Sequence, residues 1–260
     1  MRYTCTMTIL EAVLLGIVEG ITEFLPISST GHLILTSSLL GLEHTEFLKS
    51  FEIAIQLGAI VSVVLLYWRS FLDIPLLGRI ATAFVPTALV GAFLYPFIKG
   101  TLLGNELIVV AALAIGGVAL IIFELSRAHG TTESVTHISY GHAFLIGIAQ
   151  SVAVIPGVSR SASTIVGGLL IGIDRVKIVE FSFLLAVPTM AAATILDLSQ
   201  SAFLFTGREF TLLAVGFVVS CLVALAAITW LLRFVRTHTF IGFGIYRIFI
   251  AAVFYFFFLS

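Results

Sequence analysis

The sequence predicts an all-α, polytopic membrane protein with about six transmembrane helices plus two re-entrant helix-loop-helix hairpins, related as an inverted-topology internal repeat. Three observations predict it. Of 260 residues, 60% are apolar, only 10% are Asp, Glu, Lys or Arg, and the mean hydropathy is +1.18, whereas a soluble domain carries roughly 25% charged residues. The apolar residues gather in runs of about 20, the helical length that crosses a hydrocarbon core. Two further apolar stretches are each cut in the middle by Pro, Gly and Ser, and the two cuts resemble each other about half a chain apart.

Charges and turn residues divide the apolar sequence into six candidate spans: Phe51 to Trp68, Arg79 to Ile98, Asn105 to Phe123, Glu180 to Leu198, Phe210 to Leu232 and Phe240 to Leu259. The interrupted stretches are residues 9–42 and 144–173. Each half of such a stretch is too short to cross, so the chain is expected to enter the membrane and return on the same side. Non-helical backbone at that depth is tolerated only inside protein or beside water. Pro26, Gly31, Pro156 and Gly157 mark the breaks, with Ser28, Ser29, Ser159 and Ser161 as candidate caps for the helices that resume.

The chain reads as one membrane domain, with repeat 1 over about 1–130 and repeat 2 over about 131–260. Gly16-Ile17-Val18-Glu19 through Ser28-Ser29-Thr30 aligns with Gly147-Ile148-Ala149-Gln150 through Ser159-Arg160-Ser161 at an offset of 131 residues, which also pairs Gly41 with Gly172. Three spans between the hairpins make the repeat inverted. Loop charges then fall unequally. One side collects Arg69, Arg79, Arg127, Arg175, Lys177, Arg233 and Arg236, the other only Arg2, Lys49, Lys99 and Arg208. The positive-inside rule places the larger set in the cytoplasm and both termini outside.

With so few charges, those inside apolar stretches point to function. Glu19 and Glu23 are four apart, on one helical face, where like charges repel unless a cation or proton intervenes. Two carboxylates beside hydroxyls suit a hard divalent cation, Mg2+ or Ca2+. Ser28, Ser29, Thr30 and His32 follow at a helix start whose backbone N–H groups favour an anion, and they offer a nucleophile, a proton carrier and phosphate donors. In the second hairpin, Arg160 has the fork geometry for phosphate, flanked by Ser159, Ser161 and Thr164, or it pairs with Glu19 or Glu23. Glu52 and Gln56, also four apart, either line the same cavity or mark the interface. Arg247 is expected to form a structural ion pair with Asp197 or Glu124. The net charge of −1 gives no sign of a nucleic-acid partner, and none is expected. Cys5 and Cys221 lack zinc or disulfide-framework spacing. Glu11, Glu19 and Glu23 interrupt what would otherwise read as a signal peptide, so none is expected.

Glu19-x-x-x-Glu23 with Pro26-x-Ser28-Ser29-Thr30-Gly31-His32, followed by Pro156-Gly157-x-Ser159-Arg160-Ser161-x-x-Thr164, resembles the undecaprenyl-diphosphate phosphatases of the bacitracin-resistance type. Phe51-Glu52 through Gln56-Leu57-Gly58 and Glu180 through Pro188 also look like that family, so the resemblance covers essentially the whole chain. Departures are small: Ala162 stands where many relatives have Gly, and the Arg69 to Arg79 connection is short. The resemblance implies a bacterial inner-membrane, metal-dependent enzyme with its site facing outward. Such an enzyme removes the terminal phosphate of undecaprenyl diphosphate and regenerates the monophosphate carrier of peptidoglycan synthesis. On that reading Glu19 and Glu23 hold the cation, and Arg160, Ser28, Thr30, Ser159, Ser161 and Thr164 grip phosphate. The nucleophile is Ser29, activated by Glu23 or His32, or else His32 itself. The polyprenyl diphosphate and the bilayer are the expected partners, and a homodimer is left open. The rival reading is a polyprenyl-phosphate flippase or cation-coupled secondary transporter, because inverted repeats with broken helices are also built into carriers.

Overall fold

The computed structural model describes residues 7–43, 45–97, 102, 106–127, 137–201 and 205–259. Arg2, Cys5 and Lys99 lie outside them, and so does the side chain of Asp197. Ten α-helices and no β-strand are found among the described residues: α1 (Ile9–Thr22), α2 (Ser29–Leu39), α3 (Glu46–Leu66), α4 (Ile74–Phe97), α5 (Glu106–Arg127), α6 (Tyr140–Ser151), α7 (Arg160–Leu170), α8 (Arg175–Ser201), α9 (Gly207–Phe234) and α10 (Ile241–Phe254). Among the described residues, four helices are long and apolar enough to cross a membrane: Glu46–Leu66, Ile74–Leu94, Glu106–Ser126 and Gly207–Phe234. The expected spans at 180–198 and 240–259 are also helical. α8 contains Pro188, and α10 is only 14 residues, continued by a π-helical turn at Tyr255–Leu259.

Helix starts follow local capping chemistry. Thr8, Ser139 and Thr206 form capping boxes with Glu11, His142 and Glu209, satisfying N–H groups that a helix leaves unpaired. The two broken hairpins appear where the sequence is cut. α1 and α2 flank the first break; α6 and α7 flank the second, with a 3₁₀ turn at Val152–Val154 between them. At 14, 11, 12 and 11 residues, none of these four helices reaches the length of a span. α2 and α7 end alike. Gly41 and Gly172 take φ of +65° and +85°, Leu42 N–H donates to the Ser37 carbonyl, and Ile173 N–H donates to that of Gly168, both at 3.0 Å. These are Schellman turns, which need a residue at ease with positive φ.

Packing joins the two halves of the chain. α1 and α3 lie on α9, α6 and α8 lie on α4, α5 pairs with α10, and α3 meets α8. A core around Phe24, Ile165, Phe183 and Ile228 fills the space between the hairpins, with Phe24 and Phe183 edge to face at 5.2 Å. Phe93, Ile115 and Phe257 point outward, as lipid-facing side chains do, because lipid tails are as apolar as they are. Close helix approach depends on small residues. A Cβ on Gly147 would collide with the Ala83 carbonyl oxygen of α4. Gly147→Ala is therefore expected to cost about 1–3 kcal/mol by forcing α4 and α6 apart, read as a lowered Tm in detergent; an unchanged Tm would show that this contact has slack.

Candidate active site

The site assembles around one carboxylate. Glu23, just past the end of α1, accepts the Ser29 hydroxyl on Oε2 at 2.6 Å and Arg160 Nη2 on Oε1 at 3.1 Å. Ser29 is the first residue of α2 and Arg160 the first of α7, so the starts of the two resumed helices, 131 residues apart, meet at Glu23. Both side chains of the ion pair are buried, at 3% and 11% exposure for Glu23 and Arg160. Arg160 Nη1 donates to the Ser182 carbonyl at 3.0 Å, leaving Nε buried without a partner.

Glu19 sits one turn earlier on α1, fully buried, and neither of its carboxylate oxygens has a hydrogen-bond partner. It feels the charges of Glu23, Glu52 and Arg160, and Glu52 Oε1 is also buried and unpartnered. Glu52 therefore faces the same centre from α3, where it lies beside Ser37. Gln56, one turn further along α3, is half-buried and hydrogen-bonds to none of these groups. Three buried, orphaned carboxylate oxygens, two on Glu19 and one on Glu52, demand a proton or a cation, so the donor set fits a hard divalent ion. No group of three or more His, Cys, Asp or Glu is gathered as a ready-made metal site among the described residues. Mg2+ is compatible with that, because it is commonly held by one or two carboxylates plus waters and substrate phosphates.

The remaining hydroxyls divide into two sets. Ser159 caps α7 by accepting Ala162 N–H at 3.2 Å. Ser161 donates to the Leu25 carbonyl at 2.7 Å, which ties the second hairpin to the first, and lies 3.0 Å from Ser159 Oγ. Since a hydroxyl has a single hydrogen, Ser159 is the donor in that contact. Thr164 is fully buried, and its hydrogen is shared between the Arg160 carbonyl at 2.9 Å and Gln150 Oε1 at 3.3 Å. By contrast, the Ser28 hydroxyl makes no capping bond, contrary to the expectation that it caps α2, because the backbone there takes φ +72°. It is the only non-glycine residue at positive φ among the described residues, a strain of about 1–3 kcal/mol. Thr30 is half-buried. Ser29 and Ser161, read as caps from sequence, point their hydroxyls at Glu23 and Leu25 instead.

His32 lies one turn beyond Ser28 on α2. Its Nδ1 is 2.8 Å from the Ser28 carbonyl and its Nε2 is 2.9 Å from the Tyr246 hydroxyl. Arg247 does not pair with Glu124, one of its two expected partners; the side chain of the other, Asp197, lies outside the described residues. Glu124 is taken by Arg175 at 2.9 Å and by Phe240 N–H. Arg247, 1% exposed, donates to four backbone carbonyls: Leu113 and Ala112 of α5 at 3.3 and 3.1 Å, Pro26 of the first break at 3.3 Å and Gly157 of the second at 3.2 Å. One guanidinium thus holds both turns. Gly116 leaves it room, since a Cβ there would strike Nη2. Tyr246, Gln150 and Ser182 were not legible as site neighbours in the sequence. The only signal was the rarity of an arginine inside an apolar segment, which singled out Arg247 but not what it holds.

The profile of the family described as bacitracin resistance protein BacA matches residues 12–253. The chain belongs to the BacA family. Relatives agree along nearly their full lengths. The chain is 53% identical over 251 residues to an undecaprenyl-diphosphatase of Sulfurihydrogenibium sp. (strain YO3AOP1), spanning 96% of this chain and 99% of that one. It is 51% identical over 255 residues to the undecaprenyl-diphosphatase of Aquifex aeolicus, covering 97% and 100%. The counterpart in Thermus thermophilus is 47% identical over 253 residues, covering 96% and 97%. Membership makes this a multi-pass membrane protein of a hydrolase family, in keeping with its apolar helices.

Proposed function

We propose that the protein hydrolyses the terminal phosphate of undecaprenyl diphosphate at the Glu23 centre and releases undecaprenyl phosphate. The observation that carries this reading is the Ser29–Glu23–Arg160 contact, which brings a hydroxyl, its base and a phosphate-binding cation to the meeting point of two helix N-termini. Ser29 Oγ attacks the terminal phosphorus as Glu23 Oε2 takes the hydrogen it already accepts. The Oγ–P bond forms, the bridging P–O bond breaks, and undecaprenyl phosphate leaves with that electron pair. Glu23 passes that proton to the departing undecaprenyl phosphate and, again a carboxylate, takes a proton from water. The water oxygen bonds to phosphorus, the Ser29 Oγ–P bond breaks, and Glu23 returns the proton to Ser29 Oγ as inorganic phosphate leaves. Arg160, with Nε still unpartnered, neutralises charge on the phosphoryl oxygens, which is where catalysis of phosphoryl transfer chiefly lies. Ser159, Ser161 and Thr164 hold the start of α7 in place, while Ser28 and Thr30 donate to phosphate. Glu19, with Glu23, is the residue to hold Mg2+ or Ca2+, which when bound offsets the charge of the diphosphate. Glu52 lines the same centre.

The reading extends to architecture and place. Residues 1–130 and 131–260 are taken as inverted repeats, supported by helix starts at Ser29 and Arg160, by paired Schellman turns, and by the exchanged packing of α1 on α9 and α6 on α4. At the same offset Gly116 corresponds to Arg247. Two arginines facing each other at that crossing would repel and overfill it, so one half keeps the guanidinium and the other the space. The protein is assigned to the bacterial inner membrane with six spans, its site and both termini outward, on the loop-charge asymmetry.

Purified protein given a polyprenyl diphosphate with Mg2+ or Ca2+ is expected to release phosphate, to stop on chelation, and to lose nearly all turnover as Ser29→Ala. Phosphate trapped on histidine, or an undiminished Ser29→Ala variant, would overturn the serine mechanism. Absence of any release by the metal-supplied wild type would return the reading to a carrier.

A further inference from the structure

Tyr246 lies outside both hairpin motifs, yet its hydroxyl meets His32 Nε2 at 2.9 Å and its ring stacks on the imidazole, with centroids 5.5 Å apart and planes 10° from parallel. The opposite ring nitrogen, Nδ1, is 2.8 Å from the Ser28 carbonyl oxygen. A carbonyl only accepts, so Nδ1 bears a hydrogen, and in the neutral ring Nε2 is the bare nitrogen that accepts from Tyr246. Both ends of this chain are anchored. Arg247, the next residue along α10, is buried against the Pro26 and Gly157 carbonyls, and Ser28 belongs to the same strained turn at φ +72°. The imidazole therefore bridges α10 and the turn that presents Ser29, with neither nitrogen directed at Ser29.

Resting on the phosphatase reading of this site, we propose that Tyr246 is a positioning residue that locks His32 in its Nδ1–H tautomer. His32 then serves the reaction by gripping the Ser28 carbonyl and holding the Ser28-Ser29-Thr30 turn, and does not attack phosphorus itself. The phenol hydroxyl matters more than the ring, because the ring alone leaves Nε2 without a donor and frees the imidazole to rotate or change tautomer.

Two measurements test it. In kinetics, Tyr246→Phe is expected to lower kcat about tenfold with KM within about twofold, and to lower it less than twofold further in a His32→Asn background, since both changes release the same turn. Independent multiplicative losses, or a Tyr246→Phe kcat equal to or above wild type, would overturn the proposal; the latter is what a nucleophilic His32 relieved of its Nε2 partner would give. Nitrogen NMR of 15N-histidine-labelled protein, with the His32 signal assigned by its loss in His32→Asn, reads the tautomer without any turnover. A wild-type ring protonated on Nδ1, changing in Tyr246→Phe, supports the inference, and one protonated on Nε2 alone refutes it. A correct tautomer in protein that hydrolyses no polyprenyl diphosphate would sink the phosphatase reading and leave the Tyr246–His32 lock standing.

Discussion

Arg160→Lys is expected to reduce kcat/KM for phosphate release by about 10²–10³-fold while leaving thermal stability nearly unchanged. Lysine keeps the positive charge that Glu23 needs, so the carboxylate, 3% exposed, is not left alone. A single ammonium cannot, however, serve Glu23, the Ser182 carbonyl and a phosphoryl oxygen from one planar fork as Arg160 does, and losing one well-aimed donor to developing charge carries a penalty of that size. Arg160→Ala provides the contrast. It removes charge as well as geometry and strands a buried carboxylate, which typically costs about 3–5 kcal/mol, so it is expected to lower Tm in addition to abolishing turnover. Rates and melting curves of both variants in one detergent check the pair. A lysine variant with more than about a third of wild-type activity would show that Arg160 acts only as a counter-charge to Glu23.

Arg247→Met should destabilise the protein by about 3–5 kcal/mol and remove activity with it, although Arg247 touches no residue assigned to the chemistry. Its guanidinium satisfies four buried carbonyls from both hairpin turns and from α5. Each orphaned acceptor costs about 1–3 kcal/mol, partly offset because the penalty of burying the charge also disappears. Arg247→Lys, with one nitrogen in place of a fork, is expected to fall between wild type and Met in Tm. Gly116→Ala, which drives a methyl into the guanidinium, should act in the same direction without altering any donor. The order wild type, Lys, Met in thermal unfolding measures the clamp; a Met variant that melts like wild type would mean that water or a shifted backbone satisfies those carbonyls.

The charged centre was legible in the sequence because the chain is otherwise so poor in charge. Glu19, Glu23 and Arg160 are conspicuous against uninterrupted apolar residues, and the helix breaks at Pro26 and at Pro156-Gly157 are written in residues whose backbone chemistry is local. Whether Arg160 would meet phosphate or a carboxylate stayed open, and the structure pairs it with Glu23 while leaving Nε free. The division of the hydroxyls was not legible. Ser28, Ser29, Ser159 and Ser161 are alike as letters, but one sits at positive φ without capping, one donates to a carboxylate, one caps and one ties two hairpins together. Each outcome depends on an acceptor that arrives from elsewhere in the fold.

The sequence alone determined the solvent, the helical class, the place of each break and the half-chain spacing of the two motifs, because composition, periodicity and turn chemistry act over a few residues. Tertiary structure decided which groups meet. Glu23 and Arg160 are 137 residues apart and His32 and Tyr246 214 apart, distances across which no local preference operates. The partners of Arg247 were invisible for a deeper reason. They are backbone carbonyls, present at every position and distinguished only when a helix break exposes them and packing brings a donor. The 10% of residues that carry charge therefore mark where the site is, and the crossing of α5 with α10 and the meeting of two helix starts at Glu23 determine what those charges hold.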